Sequence, residues 1–364
     1  MMNKTIVLAA GGTGGHLFPA QALAEALIAR GHRIVLATDH RVDAYGSDFP
    51  AYETHIIPSA TVAGRSPVAL AKTGLTLAAG VRRAHGLLGK IKPAAVVGFG
   101  GYPSFPPLMA ATLRGIPSAL HEQNAVLGRA NKMLAKRVTV IATSFPSVTF
   151  TEDLSAERVV LTGNPVRARV LAAANQLYEP VRKDGRQDIV VFGGSQGARY
   201  FSDTMPEAVA LLSDDTRGRI AIVQQCRPED LERVRARYAA LGVEAECDAF
   251  FDDLPRQIAD SQMVIARSGA STVAELTAIG RPSLLVPLPH AIDNDQLRNA
   301  TNLVSAGAAA SYPQSELTPQ KLSETIELFL AHPDRLIAAS QAAASLGRPD
   351  AAERLADLVL KIAA

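Results

Sequence analysis

The stretch from Ile6 to His16 restricts the fold more than any other part of the sequence, because five apolar residues run directly into four glycines and a histidine. An uninterrupted apolar run is typical of a strand buried on both faces, as in a parallel sheet. Glycines let the backbone turn sharply and let a ligand approach bare N–H groups. A helix is expected next over residues 20–30, ending at Gly31, a usual C-cap residue. Its positive dipole end would face the turn and favour an anion or a polar sugar there.

The same strand-to-glycine construction recurs twice. Residues 189–192 are apolar and lead into Gly193-Gly194-Ser195-Gln196-Gly197-Ala198, and residues 94–97 lead into Gly98-Phe99-Gly100-Gly101. The carboxyl ends of parallel strands meet at one sheet edge, where α/β proteins bind their ligands. We therefore expect two α/β halves, each with glycine turns at its binding edge.

Length and composition favour a two-domain cytoplasmic protein. At 364 residues the chain exceeds the size at which one core usually stops growing. No apolar run approaches the ~20 residues that span a bilayer, and the first one is too short for a signal-peptide core. The two cysteines, Cys226 and Cys247, indicate neither a disulfide framework nor a cysteine-based zinc site.

The charge is distributed unevenly. Residues 1–164 carry 16 Lys and Arg against 9 Asp and Glu, whereas the rest of the chain carries 21 against 26. Within residues 61–140 the only acid is Glu122, which predicts an anionic partner for this segment. The basic residues there are Arg65, Lys72, Arg82, Arg83, Lys90, Lys92, Arg114, Arg129, Lys132, Lys136 and Arg137. Nucleic acid is not favoured, because these residues alternate with aliphatics and glycines and lack an aromatic stacking platform.

Residues 66–92 combine aliphatic and basic side chains, and two interpretations stay open. The segment can be an amphipathic helix that covers the sheet. It can also be a lipid-facing patch, in which aliphatic side chains enter the headgroup boundary and each Lys or Arg gains ~1 kcal/mol near an anionic leaflet.

The first glycine turn does not match the known sequence motifs of nucleotide-binding loops. Leu17 occupies the third glycine position of the dinucleotide motif, and no phosphate-binding loop ending in Gly-Lys-Ser or Gly-Lys-Thr is present. Asp39, at the end of the strand expected over residues 33–39, is therefore poorly supported as a ribose ligand.

Residues 263–276 form the most informative run of the second half. A strand ends in Ser268 and Gly269, and Ser271 and Thr272 follow at the start of a helix, where N–H and O–H groups can hold phosphate. Glu275 lies one turn further and could bind the two hydroxyls of a ribose. In the alternative interpretation, Ser268 or Ser271 is an N-cap and Glu275 is a surface acid that matches the helix dipole.

The remaining pattern completes an alternating α/β chain. Further strands are expected over residues 118–120, 138–143, 159–162, 220–224 and 283–287, and further helices over 127–136, 228–240 and 351–362. A polar loop is expected over 288–299, and Gly347-Arg348-Pro349 interrupts the helical C-terminus.

Seven segments, in order over almost the whole chain, resemble the MurG family of bacterial glycosyltransferases. They are Gly11–Pro19, Gly98–Pro107, His121–Asn124, Gly163–Arg167, Gly193–Ala198, Arg267–Glu275 and His290–Ala300. The resemblance implies a GT-B fold, an α/β architecture of two Rossmann-like domains whose parallel sheets face each other across a cleft. It implies inverting transfer of N-acetylglucosamine from UDP to the 4-hydroxyl of undecaprenyl-pyrophosphoryl-N-acetylmuramoyl-pentapeptide, which converts lipid I to lipid II in peptidoglycan synthesis.

The resemblance also implies that the two domains bind different substrates. Residues 1–164, together with the C-terminal helix 348–364, would bind the acceptor and associate with the membrane, and residues 165–347 would bind UDP-N-acetylglucosamine. The expected partners are UDP-N-acetylglucosamine, lipid I and the anionic inner-membrane surface, which the 61–140 segment would meet. The chain would then lie peripherally on the cytoplasmic face of that membrane.

By position, the resemblance assigns individual residues to the substrates. In the donor site, the Phe251 backbone would meet the uracil, Glu275 the ribose and Gln296 the sugar. Ser195 with Ala270, Ser271 and Thr272 would meet the phosphates, and Val273 and Ala274 complete this helix start. Thr13, Gly14, Gly15, Asn124 and Arg167 would close the cleft from the acceptor side.

His16 is the candidate general base, because a neutral imidazole near its usual pKa of ~6.5 is available at cytoplasmic pH. Its alternative role is to position the helix start by hydrogen bonding. The resemblance implies neither a cofactor nor a metal. However, Asp293-Asn294-Asp295 matches the Asp-x-Asp of metal-dependent glycosyltransferases, and the role of Asp295 stays open because some family members carry Gln or His there.

Three other functions share parts of this pattern. A UDP-sugar 2-epimerase or another GT-B transferase would use a similar fold, and a non-enzymatic nucleotide-sugar sensor or membrane scaffold would use the same turns. An epimerase needs no lipid acceptor, so it would leave the basic and aliphatic 61–140 segment unexplained.

Overall fold

The computed structural model describes residues 3–11, 14–41, 49–61, 66–182 and 185–364, with backbone alone at 195–198 and 292. The chain divides into two compact units. The N-terminal unit is Met1–Arg167 with Arg348–Ala364, and the C-terminal unit is Ala168–Gly347. Each unit is built on a parallel sheet, which confirms the expected α/β fold class with two parallel-sheet domains.

Within the described residues, the N-terminal unit has a seven-stranded parallel sheet. Its strands are β1 Thr5–Ala9, β2 Arg33–Thr38, β3 Glu53–Ile56, β4 Ala95–Gly98, β5 Ser118–Glu122, β6 Val140–Thr143 and β7 Val159–Leu161. Their spatial order is β3-β2-β1-β4-β5-β6-β7. Leu8 of β1 lies beside Leu36 of β2 on one side and Val97 of β4 on the other. The apolar run that opens the chain is therefore a central, fully buried strand, as predicted.

The helices described in this unit are α1 Gly14–Ala29, α2 Pro67–Ile91, α3 Gly101–Leu113, α4 Arg129–Leu134 and, at the end of the chain, α14 Ala351–Ile362. α14 contributes Leu355 to the same apolar core as Leu23 of α1. Arg30, just after α1, pairs with Glu353 and Asp357 of α14. The last helix is thus part of the N-terminal unit.

Helix α1 begins earlier than expected. It was expected to start after Pro19, but it runs from Gly14 and contains Pro19 in its interior. The expectation was wrong because a proline at this point removes only the helical bond to the carbonyl of Gly15, near the open end of the helix. His16 therefore belongs to the first turn of α1.

Helix α2 confirms the amphipathic helix expected over residues 66–92, and its two halves have different surroundings. Ala84 and Leu88 in its C-terminal half are buried. Val68 and Leu75 in its N-terminal half are 78% and 74% exposed. No helix within the described ranges has the length and apolarity needed to cross a bilayer.

The described part of the C-terminal unit has a six-stranded parallel sheet in the order β10-β9-β8-β11-β12-β13. Its strands are β8 Gln187–Phe192, β9 Ile220–Gln225, β10 Glu244–Asp248, β11 Met263–Ala266, β12 Ser283–Leu285 and β13 Ala309–Ser311. Its helices are α5 Ala168–Ala173, α6 Gly194–Ala210, α7 Asp214–Arg217, α8 Leu231–Ala240, α9 Leu254–Asp260, α10 Ala270–Ile279, α11 Asp295–Ser305, α12 Pro319–Leu330 and α13 Pro333–Leu346.

The polar loop expected over residues 288–299 is wrong in its second half, where α11 begins at Asp295. Only Asn299, Ala300 and Leu303 of this helix are buried, so most of its residues face solvent and read as polar. Oδ1 of Asp295 accepts a hydrogen bond of 2.6 Å from the backbone N–H of Gln296. Asp295 therefore has a local structural role at the start of α11.

Candidate functional site

In the N-terminal unit, the strand order reverses at β1, because β2 lies on one side of it and β4 on the other. In open α/β sheets, a reversal of this kind leaves a crevice at the carboxyl edge of the sheet. This is the position at which open α/β sheets bind ligands. The start of α1 and residues 99–101 lie at this edge.

The ring of His16 packs against the turn that follows β4. A Cβ on Gly101 would lie 3.3 Å from Nε2 of His16, and a Cβ on Gly100 would lie 3.5 Å from its Cε1. Both glycines have positive φ, +68° and +85°, where side chains are disfavoured. Burial lowers the pKa of His16, although the Gln123 side chain and the Phe99 backbone oppose the shift. The imidazole is therefore neutral at neutral pH and able to accept a proton.

A chain of hydrogen bonds connects the ends of three strands in this unit. Nε2 of Gln123 donates to the carbonyl of Phe99 at 2.8 Å and to Nδ1 of His121 at 3.1 Å. Nε2 of His121 must then carry its proton and donate to the carbonyl of Gly163 at 3.0 Å. Burial lowers the pKa of His121 to about 4, so this ring is also neutral. These hydrogen bonds join strand ends that are distant in the sequence, so a local sequence pattern could not show them.

Glu122 shapes the loop that presents Asn124. Its Oε1 accepts hydrogen bonds from the backbone N–H of Asn124 at 3.0 Å and from its side chain at 3.4 Å. Its Oε2 accepts from the N–H of Gly128 at 2.8 Å and from the side chain of Asn131 at 2.7 Å. Burial raises the pKa of Glu122, while these donors oppose the shift. Glu122 is only 1% exposed, so it orders the loop and does not offer its carboxylate to a ligand.

Arg167 and Asn164 complete this edge. The Arg167 guanidinium lies 4.1 Å from the ring centre of Phe18, and the same ring covers Gly14, where a Cβ would lie 2.8 Å from a ring carbon. Asn164 is 6% exposed, and within the described residues both polar atoms of its side chain are buried without a hydrogen-bond partner. The sequence did not single out Asn164, although an asparagine shortly after a strand and before a proline was visible in the Gly163–Arg167 segment.

The structure thus brings Gly14, Gly15, His16, Asn124 and Arg167 to one sheet edge of the N-terminal unit. Thr13 lies outside the described residues.

The C-terminal unit has its own reversal of strand order, at β8, because β9 lies on one side of it and β11 on the other. The segments that leave β8 and β11 are Gly193–Gly194 and Arg267–Gly269. They flank a second crevice of the same kind. Ser195 lies in the first turn of α6, and its side chain is outside the described part of the structure.

Helix α10 directs its N-terminus into this second crevice. Its N-cap, Gly269, provides no side-chain cap. The N–H groups of Ala270, Ser271 and Thr272 therefore have no partner inside the helix and stand at its positive dipole end. Within the described residues, Oγ of Ser271 is also buried without a hydrogen-bond partner. These groups form a suitable site for phosphate oxygens.

Glu275 lies four residues after Ser271, so both side chains project from the same face of α10, about 6 Å apart along its axis. Both residues are partly buried. Val273 is 4% exposed and faces the core, so it can contact a ligand at this edge only through its backbone. Ala274 is partly buried.

Gln296 holds the start of α11 beside α10. Its backbone carbonyl accepts a hydrogen bond of 2.8 Å from Oγ of Ser268, and its Oε1 accepts one of 2.9 Å from the N–H of Leu288. Nδ2 of Asn299 donates to the carbonyl of Ser268 at 3.1 Å. The side-chain amide nitrogen of Gln296 is therefore the part of this residue that suits a sugar hydroxyl.

Phe251 lies further along the same edge, in the segment that joins β10 to α9. β10 is two strands from β8, which places this segment roughly 10 Å from the crevice. Phe251 is partly buried, and Phe250 is 69% exposed.

Arg267 was visible in the sequence but was not assigned a role. It is 5% exposed and donates to the carbonyls of Val286 at 3.1 Å and Pro287 at 3.3 Å and to Oε1 of Gln314 at 2.6 Å. Burial lowers its pKa. Arg267 thus connects the strand end before α10 to the segment after β12 and to Gln314.

The Asp293-Asn294-Asp295 segment was the alternative metal site. Asp293 and Asn294 have left-handed backbone conformations, with φ of +56° and +54°. Burial raises the pKa of Asp295, opposed by its hydrogen bond from the backbone N–H of Gln296. In the described part of the chain, no group of three or more His, Cys, Asp or Glu side chains is placed to hold a metal ion. Metal-independent chemistry stays a prediction.

Comparison with known families gives two matches in order. Residues 6–143 match the "Glycosyltransferase family 28 N-terminal domain", and residues 188–355 match the "Glycosyltransferase family 28 C-terminal domain".

Curated relatives match over the full length. The "UDP-N-acetylglucosamine--N-acetylmuramyl-(pentapeptide) pyrophosphoryl-undecaprenol N-acetylglucosamine transferase" of Agrobacterium fabrum (strain C58 / ATCC 33970) is 52% identical over 363 residues, which are 100% of this chain and 96% of the relative. The protein with the same name from Chelativorans sp. (strain BNC1) is 53% identical with the same coverage.

Solved structures show the same fold. The crystal structure of Acinetobacter baumannii MurG matches with a TM-score of 0.81 at 28% identity and covers 98% of this chain and 99% of that one. A UDP-N-acetylglucosamine 2-epimerase matches with a TM-score of 0.67 at 15% identity, covering 99% of this chain and 96% of the epimerase chain. That likeness shows a shared fold and nothing further about activity.

Proposed function

The chain belongs to the family of UDP-N-acetylglucosamine–N-acetylmuramyl-(pentapeptide) pyrophosphoryl-undecaprenol N-acetylglucosamine transferases, and we propose that it transfers N-acetylglucosamine from UDP to the 4-hydroxyl of the lipid-linked N-acetylmuramoyl acceptor. The observation that carries the proposal is identity of 52% and 53% over the full chain, which includes both units and both sheet edges. The product is lipid II, so the activity serves peptidoglycan synthesis, cell shape and cell division.

In the proposed donor site, the C-terminal unit holds UDP-N-acetylglucosamine. The diphosphate lies at the N-terminus of α10, where the N–H groups of Ala270, Ser271 and Thr272 and the hydroxyl of Ser271 are directed. Ser195, in the first turn of α6, contributes from the other side of the crevice. The backbones of Val273 and Ala274 complete the first turn.

The rest of the donor follows from the same placement. Glu275 binds the ribose hydroxyls one helical turn from the diphosphate. The Phe251 backbone meets the uracil two strands away along the edge. The amide nitrogen of Gln296 binds a hydroxyl of the sugar. The crevice thus extends from nucleobase to sugar along one sheet edge.

In the proposed acceptor site, the N-terminal unit holds the lipid-linked sugar at the edge formed by Gly14, Gly15, Asn124 and Arg167. His16 removes the proton from the attacking hydroxyl, because its lowered pKa keeps the imidazole neutral at cytoplasmic pH. The hydroxyl oxygen then forms a bond to the anomeric carbon, while UDP leaves with the bonding electrons. One displacement of this kind inverts the α-anomer to β.

The departing diphosphate gains negative charge in this step. The amides at the α10 N-terminus and the surrounding hydroxyls are directed at it in advance, so they stabilise the leaving group electrostatically. This arrangement supports a reaction that needs neither a metal ion nor a cofactor.

The N-terminal unit also supports peripheral binding to an anionic inner-membrane surface on its cytoplasmic face. Val68, Leu70 and Leu75 of α2 are exposed aliphatic residues, and Lys72 lies among them. Glu122, the single acid of residues 61–140, is buried and so does not offset the basic surface. Aliphatic insertion and basic side chains act together at such a surface.

The test is an assay with UDP-N-acetylglucosamine labelled in the sugar and a synthetic lipid-linked muramoyl-pentapeptide acceptor. We expect the label in the lipid product only when the acceptor is present. Release of N-acetylmannosamine or its UDP derivative without acceptor would instead identify an epimerase. Binding of the donor without any turnover would identify a sensor.

A further inference from the structure

The C-terminal half of α2 and the edge strand β3 border an open cavity of about 250 Å³. It is lined by His55, Ile57, Arg82, Arg83, Gly86, Leu87 and Lys90. β3 lies two strands from β1, at the border of the sheet. The cavity is therefore separate from the acceptor crevice that begins between β1 and β4.

Three of the lining residues are basic. Arg82, Arg83 and Lys90 are all exposed, and none of them forms an ion pair within the described part of the chain. The carboxylate of β3, Glu53, is already engaged by Arg33 at 2.6 Å and by Nε2 of His55 at 3.0 Å. Like charges that border one concave surface focus a positive potential into it.

The shape of the cavity follows from the helix sequence. Arg82, Gly86 and Lys90 are spaced four residues apart, so they share one face of α2. A Cβ added to Gly86 would meet no atom within 4 Å. The missing side chain thus leaves an open hollow between the cations, and Ile57 and Leu87 give it an apolar part.

We propose that this cavity binds a phosphate group. The guanidinium groups of Arg82 and Arg83 and the ammonium group of Lys90 provide charge-assisted donors for its oxygens. The apolar part suits the carbon atoms that a phosphate ester carries. The phosphate belongs either to a soluble phosphomonoester or to a lipid headgroup, and these sources share the same chemistry.

This site differs from the aliphatic surface proposed above to enter the membrane. Gly86 lies eleven residues from Leu75 along α2, a distance of about 17 Å. The site also does not depend on the proposed glycosyl transfer, because none of its lining residues belongs to either sheet crevice.

Equilibrium dialysis of the full chain against ³²P-labelled inorganic phosphate tests the proposal. Saturating UDP is included so that the crevice at α10 does not contribute. Arg83→Gln removes one guanidinium group, and Gly86→Leu fills the open space between the cations. Each variant is expected to weaken phosphate binding about tenfold or more, as loss of a charge-assisted hydrogen bond does.

Two matched variants control for charge and helix stability. Arg335→Gln removes an exposed cation of the C-terminal unit, and Gly74→Leu adds a side chain to α2 where a Cβ also meets nothing within 4 Å. Both are expected to bind phosphate as the unmodified chain does. The proposal is overturned if phosphate does not bind in the presence of UDP, or if the control variants lose it equally.

Displacement of the labelled phosphate identifies the source. If glycerol 3-phosphate displaces the label, the source is a soluble phosphomonoester. If vesicles of phosphatidylcholine with phosphatidylglycerol displace the label and pure phosphatidylcholine vesicles do not, the source is a lipid headgroup. If neither competitor displaces the label, the cavity does not recognise phosphate esters and the proposal is wrong.

Discussion

The side-chain amide of Gln123 donates a hydrogen bond of 2.8 Å to the backbone carbonyl of Phe99. This contact fixes the end of β5 to the turn after β4, whose glycines pack directly against the ring of His16. Both partners are buried. The position of the candidate base is therefore determined by a polar contact between two neighbouring strand ends, and not by α1 alone.

Replacing His16 with alanine should remove most turnover and leave UDP binding unchanged. If His16 is the general base, its loss should lower kcat about 10²–10⁴-fold. Steady-state kinetics and UDP titration measure the two effects separately, and His332→Ala, at an exposed position in the C-terminal unit, is the control. In the unmodified chain, the acidic limb of kcat/KM should lie below ~6.5, because burial lowers the pKa of His16. Near-normal turnover of His16→Ala would exclude it from the mechanism.

The stability of the N-terminal unit should fall as the pH falls below ~6.5, the value for histidine in an unfolded chain. Burial lowers the pKa of His121 to about 4 in the folded state, so between these values the unfolded chain binds a proton that the folded chain does not. Proton linkage then lowers the free energy of unfolding by about 2 kcal/mol between pH 7.5 and pH 5. Denaturant unfolding of the unmodified chain and of His121→Gln at both pH values measures it. An equal loss in both proteins would show that His121 is not responsible.

Replacing Ser271 with alanine should weaken UDP binding about tenfold without destabilising the chain. Within the described residues its buried hydroxyl has no hydrogen-bond partner, so its removal costs the fold no bond. Ser283 is a matched control, since its buried hydroxyl also lacks a partner among the described residues but lies at the start of β12, outside the crevice. Calorimetric titration with UDP and thermal unfolding compare the two variants. Equal UDP affinity in both would remove Ser271 from the donor site.

Transfer should keep its full rate in excess EDTA, because helix N-terminal amides and hydroxyls are proposed to stabilise the leaving diphosphate. Initial rates with and without EDTA measure this. The Asp-x-Asp site would instead be favoured if EDTA abolished activity and added magnesium restored it. In that case, magnesium should fail to restore the activity of Asp293→Asn.

Much of the fold was predictable because local pattern and tertiary structure agree. The apolar run at residues 6–10 becomes β1, and the helix expected over 351–362 matches α14. The starts of α1 and α11 were missed for physical reasons. Pro19 is tolerated inside α1, and the exposed face of α11 hides its three buried residues in a polar segment.

The side-chain pairings of the site were not predictable from the sequence. Glu122 is an example, because its buried carboxylate accepts hydrogen bonds from Asn124 and Gly128 of the loop after β5 and from Asn131 of α4. The connection from Gln123 to Phe99 joins residues 24 positions apart, and it exists only because β4 and β5 are neighbours in the sheet. Such contacts depend on strand order, which a local pattern does not contain.

The linkage formed in a complete reaction tests the central claim most directly. The chain is incubated with UDP-N-acetylglucosamine and the lipid-linked muramoyl acceptor, and the purified product is examined by NMR. The account predicts one added N-acetylglucosamine, joined through a β-anomeric bond to the 4-oxygen of the muramoyl sugar. An α-linked product, attachment at another oxygen or an unmodified acceptor would contradict it.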